Sequence, residues 1–108
     1  MTPNEYQALA MRTLNPELTE QEILLNAVMG LCGESGEVID HVKKHLCHGH
    51  PLNKDELVKE LGDVAWYLAE AATALGVSLE DILKGNIEKL KRRYPEGFSI
   101  EASIAHKE

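Results

Sequence analysis

The chain predicts an all-α fold, a four-helix-type bundle built on two long antiparallel central helices. Fifteen Leu and ten Ala stand against only twelve Val or Ile, a balance that favours helix over strand. The prolines at positions 3, 16, 51 and 95 fall where they punctuate segments rather than interrupt them. Two long stretches repeat their apolar residues at helical period. A length of 108 residues fits one domain.

The first helix is expected near residues 4–14. The second runs from about 20 to 47 and carries the stripe Leu24, Val28, Leu31, Val38, Ile39, Val42 and Leu46. The third, 54–75, carries Leu57, Leu61, Val64, Leu68, Ala72 and Leu75. Asn53 with Glu56 reads as an N-cap and capping-box partner, and Gly76 as the C-terminal stop. The short link His48-Gly49-His50-Pro51-Leu52 makes helices two and three an antiparallel hairpin. Ser78 caps a fourth helix over 79–93, with Glu80 and Asp81 favourably placed in its first turn. Beyond Pro95 an irregular tail is expected. The domain is read as 1–98, with 99–108 as a C-terminal tail.

Eleven Lys and Arg against eighteen Asp and Glu give a net charge of −7. That acidity argues against nucleic-acid polymers and anionic membranes as partners. No apolar run reaches the ~20 residues that a membrane span needs, and the start lacks the pattern of a signal peptide. Cys32 and Cys47 share one helix, about 22 Å apart along it, beyond bridging distance. Reduced thiols and a cytoplasmic location are the expectation.

The chemistry lies in a repeat inside the hairpin. Glu34-Ser35-Gly36-Glu37-Val38 recurs as Glu60-Leu61-Gly62-Asp63-Val64. Each copy sets two carboxylates three residues apart, neighbours on one helical face. On helical wheels zeroed at Leu31 and Leu57, both first acids fall near about −60° and both second acids near about −120°. The apolar stripes centre near about 0–20° on the same wheels. All four acids therefore flank the packing face on the same side. If they converge, their mutual repulsion calls for a cation, and a pocket of carboxylate oxygens suits Mg²⁺, with Mn²⁺ as a substitute. Gly30, Gly33, Gly36 and Gly62 also sit inside helices, each costing roughly 1 kcal/mol against Ala, which calls for close helix approach or room for a ligand.

Two other metal readings fit less well. A di-iron bundle needs Glu-x-x-His from each of two helices, and no histidine follows Glu37 or Glu60 at that spacing. His41, His45, Cys47, His48 and His50 have borderline-soft donors but no zinc-type framework. On helix four, Asn86, Lys89 and Arg93 share a face beside Lys91 and Arg92, which suits phosphate, although cations near a helix C-terminus also favour the dipole. Tyr67, four after Asp63, extends the acid flank toward a base or sugar.

These residues resemble the MazG-like all-α nucleoside triphosphate pyrophosphohydrolases. That family is marked by Glu-x-x-Glu, a spacer, then Glu-x-x-Asp, met here by Glu34/Glu37 and Glu60/Asp63 with 22 residues between. The flanks Gly30-Leu31-Cys32-Gly33 and Val64-Ala65-Trp66-Tyr67 match as well. So do Asn86-Ile87-Glu88-Lys89-Leu90 and Arg93-Tyr94-Pro95-Glu96-Gly97-Phe98, so that the similarity covers about residues 5–98. The resemblance implies cleavage of a nucleoside triphosphate to monophosphate and pyrophosphate. It implies Mg²⁺ held by Glu34, Glu37, Glu60 and Asp63, with one carboxylate, for which we take Glu37, receiving the proton of the attacking water. Asn86, Lys89 and Arg93 would orient phosphates, and Lys44 and Asn26 are further candidates for phosphate and for base or ribose. A homodimer or homotetramer is implied. The alternative is a noncatalytic helical interaction module that retains the scaffold.

Overall fold

The structure, a computed structural model, describes residues 1–105. It is all-helical among them: α1 (Pro3–Ala10) with a 3₁₀ turn (Met11–Thr13), α2 (Glu20–His48), α3 (Lys54–Ala74), α4 (Leu79–Arg93) and α5 (Ile100–Ala105). Local chemistry sets most of the ends. Thr2 and Thr19 each accept from a backbone N–H three residues on, and Glu5 and Glu22 return the bond, giving two full capping boxes. Asn53 accepts from the Glu56 N–H at 3.1 Å, but Glu56 does not reciprocate and instead lies 3.7 Å from Lys59. Ser78 accepts from the Asp81 N–H at 3.0 Å. Gly49 ends α2 in the left-handed region at φ 71°, where a side chain would be strained.

Two ends depart from expectation. The first helix stops at Ala10 rather than continuing to 14. The Ala10 carbonyl accepts from the Thr13 hydroxyl at 2.8 Å and from the Trp66 indole at 3.0 Å, and the chain tightens into the 3₁₀ turn there. The tail is not irregular throughout: Ser99 accepts from the Ala102 N–H at 3.0 Å and α5 follows. The rest of the expected tail, 106–108, lies outside the described residues.

α2 and α3 pack along one another across the link 49–53, while α1 packs on α3 and α4. α1 is stitched to the α3–α4 corner by polar side chains. Gln7 donates to Thr73 Oγ1 and the Val77 carbonyl and accepts from the Leu79 N–H at 2.7 Å. Asn4 accepts from the Glu80 N–H at 3.1 Å.

The buried apolar residues are few and mostly small: Ala10, Ala27, Ala69, Ala72 and Leu79. The expected core stripe on α2 is therefore only partly internal. Val28, Ile39, Val42 and Leu46 are exposed, as are Leu61 of α3 and Leu75 at its C-terminal cap. Small residues allow close helix approach, and the larger ones are left on the outside. The radius of gyration is 16.9 Å, against about 13 Å for a compact domain of this length. The surface of 7949 Å² compares with about 6,000 Å² for a compact monomer of this mass.

Of the helical glycines Gly30, Gly33, Gly36 and Gly62, only Gly30 is spatially constrained among the described residues. A Cβ there would overlap the Tyr67 ring, whereas among the described residues Gly33, Gly36 and Gly62 have nothing within 4 Å of that position. Gly30→Ala is expected to destabilise the fold by about 1–3 kcal/mol through overpacking. Gly36→Ala is expected to stabilise it by up to about 1 kcal/mol through helix propensity. Urea denaturation of the two variants beside the parent measures both signs.

Candidate metal and nucleotide site

The antiparallel register of α2 and α3 sets a ladder of residues opposite one another. Asn26, Gly30 and Glu34 lie a turn apart along α2, and Asp63, Tyr67 and Glu70 succeed one another along α3. At one end Glu34, Glu60 and Asp63 each offer a carboxylate oxygen, all within 4.8 Å of one another. Oxygens on one Mg²⁺ lie up to about 4.2 Å apart, twice the ~2.1 Å bond. Small rotamer adjustments close that gap, and three hard oxygen donors fit such an ion. Glu37 lies outside this group of three and is exposed.

Glu34 reports the crowding. The neighbouring Glu60 carboxyl, in hydrogen-bonding contact, raises its pKa above the usual carboxylate range. Desolvation and the charges of Glu60, Asp63 and Glu37 push the same way. A carboxyl raised in the folded state favours folding below its ordinary pKa, and that contribution is lost as pH rises through the folded value. The metal-free protein is therefore expected to lose stability as pH climbs from the ordinary carboxylate range through the raised pKa. A divalent ion must displace this proton, so the thermal stabilisation given by Mg²⁺ is expected to shrink as pH is lowered through that window. Melting curves with and without Mg²⁺ across mildly acid to neutral pH check both trends, and Glu34→Gln should flatten them.

The other expected site residues are placed as follows. Lys44 is taken up by Asp40, 2.8 Å away, and Asp40 also lies 3.6 Å from Lys43. The hydrogen bond from Lys44 holds the Asp40 pKa down; the same contact, with the Asp40 and Glu37 charges, holds that of Lys44 up. Tyr67 lies against Gly30 and meets Trp66 edge to face at 5.1 Å. The Trp66 indole donates to the Ala10 carbonyl and to Thr13 Oγ1 at 2.9 Å, tying α3 to the first turn. Asn86, Lys89 and Arg93 sit on α4, which packs on α1 and α3. Among the described residues no hydrogen bond or ion pair joins Asn86 or Lys89 to the acids.

Sequence reasoning missed Glu70. It is completely buried, and the Asn26 amide donates to both of its oxygens at 2.9 Å. Its only sequence signal is that its wheel position, near about −140°, lies on the acid flank.

The fold and site define an all-helical protein whose central hairpin gathers carboxylates suited to a hard divalent ion. The family model for the MazG nucleotide pyrophosphohydrolase domain matches residues 22–98, and the chain belongs to that family. It is 41% identical over 80 residues to the Gene 37 protein of Mycobacterium phage L5, covering 70% of each chain. Over 41 residues it is 49% identical to the uncharacterized protein YvdC of Bacillus subtilis strain 168, covering 38% of this chain and 39% of that one. No solved structure matches the chain. Among the described residues no helix is long and apolar enough to cross a membrane.

Proposed function

We propose that the chain is a Mg²⁺-dependent nucleoside triphosphate pyrophosphohydrolase, releasing a nucleoside monophosphate and pyrophosphate, with nucleotide-pool house-cleaning in the cytoplasm as its role. The observation that carries this reading is the meeting of Glu34, Glu60 and Asp63 from two helices in a chain of this family. Those three hold the ion, with Mn²⁺ as a substitute. The bound ion would supply neutralisation of phosphate charge and a water of lowered pKa. Glu37, beside the cluster but outside it, takes the proton from the attacking water. Asn86, Lys89 and Arg93 orient the phosphates in the assembled oligomer, with Lys44 adding charge at the Glu37 end and Tyr67 facing the sugar or base. The functional domain is 1–98, and 99–108 is an appendage to it.

The test is incubation of the pure protein with a panel of canonical and modified nucleoside triphosphates and Mg²⁺, reading pyrophosphate. Release that chelation abolishes is expected. No turnover of any nucleotide, together with no metal-dependent stabilisation, would overturn the reading in favour of a noncatalytic helical module.

A further inference from the structure

Two turns along α2 from the carboxylates, a second polar constellation has no part in holding metal. Glu70 is fully buried, and among the described residues its carboxylate is met by one donor group, the Asn26 amide, at 2.9 Å to each oxygen. The Glu70 carboxylate accepts both of these hydrogen bonds from the amide nitrogen. It therefore fixes the Asn26 amide with its nitrogen inward and its carbonyl oxygen, Oδ1, outward. Asn26 is exposed, and among the described residues no donor meets that oxygen. The outcome is an oriented acceptor at the surface of the hairpin.

Its placement is informative. Asn26 lies eight residues before Glu34, about 12 Å along the helix, and shares the acid flank of α2. Between the two lies Gly30 with the Tyr67 ring against it. At the opposite end of the ladder stands Lys44, under the charges of Asp40 and Glu37. A nucleotide with its phosphates at the carboxylate and lysine end runs its sugar past Tyr67 and brings its base to Asn26. The reverse orientation would set phosphates on an acceptor oxygen backed by a buried carboxylate, a repulsive arrangement.

We propose that Asn26, held in one orientation by Glu70, reads the base and selects nucleotides that turn an exocyclic amine toward it. Cytosine and adenine carry a donor amine where uracil and hypoxanthine carry an acceptor carbonyl. Two acceptors facing each other leave both unsatisfied, which corresponds to roughly a ten- to hundredfold penalty. Glu70 is a positioning residue here, since it acts through Asn26. This inference rests on the nucleotide reading of the neighbouring acids.

The experiment compares pairs differing only in amine against carbonyl, cytidine with uridine triphosphate and adenosine with inosine triphosphate. It reads kcat/KM for cleavage and, separately, equilibrium binding of the α,β-methylene analogues with Mg²⁺. The parent protein is expected to favour the amino member of at least one pair by about tenfold or more. Glu70→Gln, nearly the same shape, lets the Asn26 amide turn over, and the preference is expected to fall toward one. A purely structural Glu70 would lower activity on both members alike and leave their ratio unchanged. Cleavage or binding without preference in the parent overturns the inference, as does an unchanged ratio in Glu70→Gln. Preferential binding of the amino member without cleavage supports it while removing the catalytic reading. Absence of binding by every nucleotide overturns both.

Discussion

Glu60→Gln is expected to abolish metal-dependent cleavage and at the same time make the metal-free protein more resistant to heat. Both effects follow from one position. Glu60 is one of three carboxylates whose oxygens approach within 4.8 Å, and it is the group that does most to raise the Glu34 carboxyl. Its neutral amide removes like-charge repulsion from the folded state and an anionic ligand from the proposed metal site. A loss of at least about a hundredfold in kcat/KM is expected, since even partners that only orient metal ligands are worth 10–100-fold. Glu37→Gln separates the roles. Standing outside the cluster, it is expected to keep most of the Mg²⁺-induced thermal shift while losing about 10²–10⁴ in turnover as the base is removed. Activity assays and melting curves on the two variants give a two-by-two result. If both variants cleave like the parent, the catalytic assignment of the acids fails.

The legible part of this molecule was local. Helical period placed α2, α3 and α4 to within a residue or two, and Asn53, Ser78 and Gly76 marked ends that the backbone uses. The acid repeat was legible for the same reason, since matched phase on two wheels depends only on spacing. What failed depended on partners far along the chain. Four glycines looked alike in sequence, yet only Gly30 faces an aromatic ring, because the inter-helix register sets Tyr67 opposite it. Nothing in the local pattern of the first helix singles out Gln7 or Asn4, yet their hydrogen bonds reach groups more than sixty residues away. The Asn26–Glu70 bond, 44 residues apart, is of the same kind. A wheel says which residues share a face; it does not say what that face meets.

That distinction matters most for the apolar stripe of α2. Ile39 and Leu46 are 66% and 73% exposed in the single chain, although periodicity marks them as residues to be covered. The chain shows about 2,000 Å² more surface than a compact monomer of its mass, well above the ~800 Å² that each partner contributes to a standard interface. We therefore expect the protein to assemble as a homodimer or homotetramer through this face, a second copy completing the bundle that one chain leaves open. Ile39→Lys with Leu46→Lys tests it. In a two-fold interface each substitution occurs twice, and an unpaired charge in a covered apolar face costs several kcal/mol. Even at only about 1 kcal/mol for each of the four introduced charges, the roughly 4 kcal/mol per dimer raises dissociation at least about a thousandfold. Sedimentation of the parent is expected to give at least twice the chain mass, and the double variant is expected to sediment as a monomer with a lowered melting temperature. A monomeric parent would sink the idea. So would a double variant that keeps the parent's mass, because the stripe would then be covered by something other than a second copy of this chain.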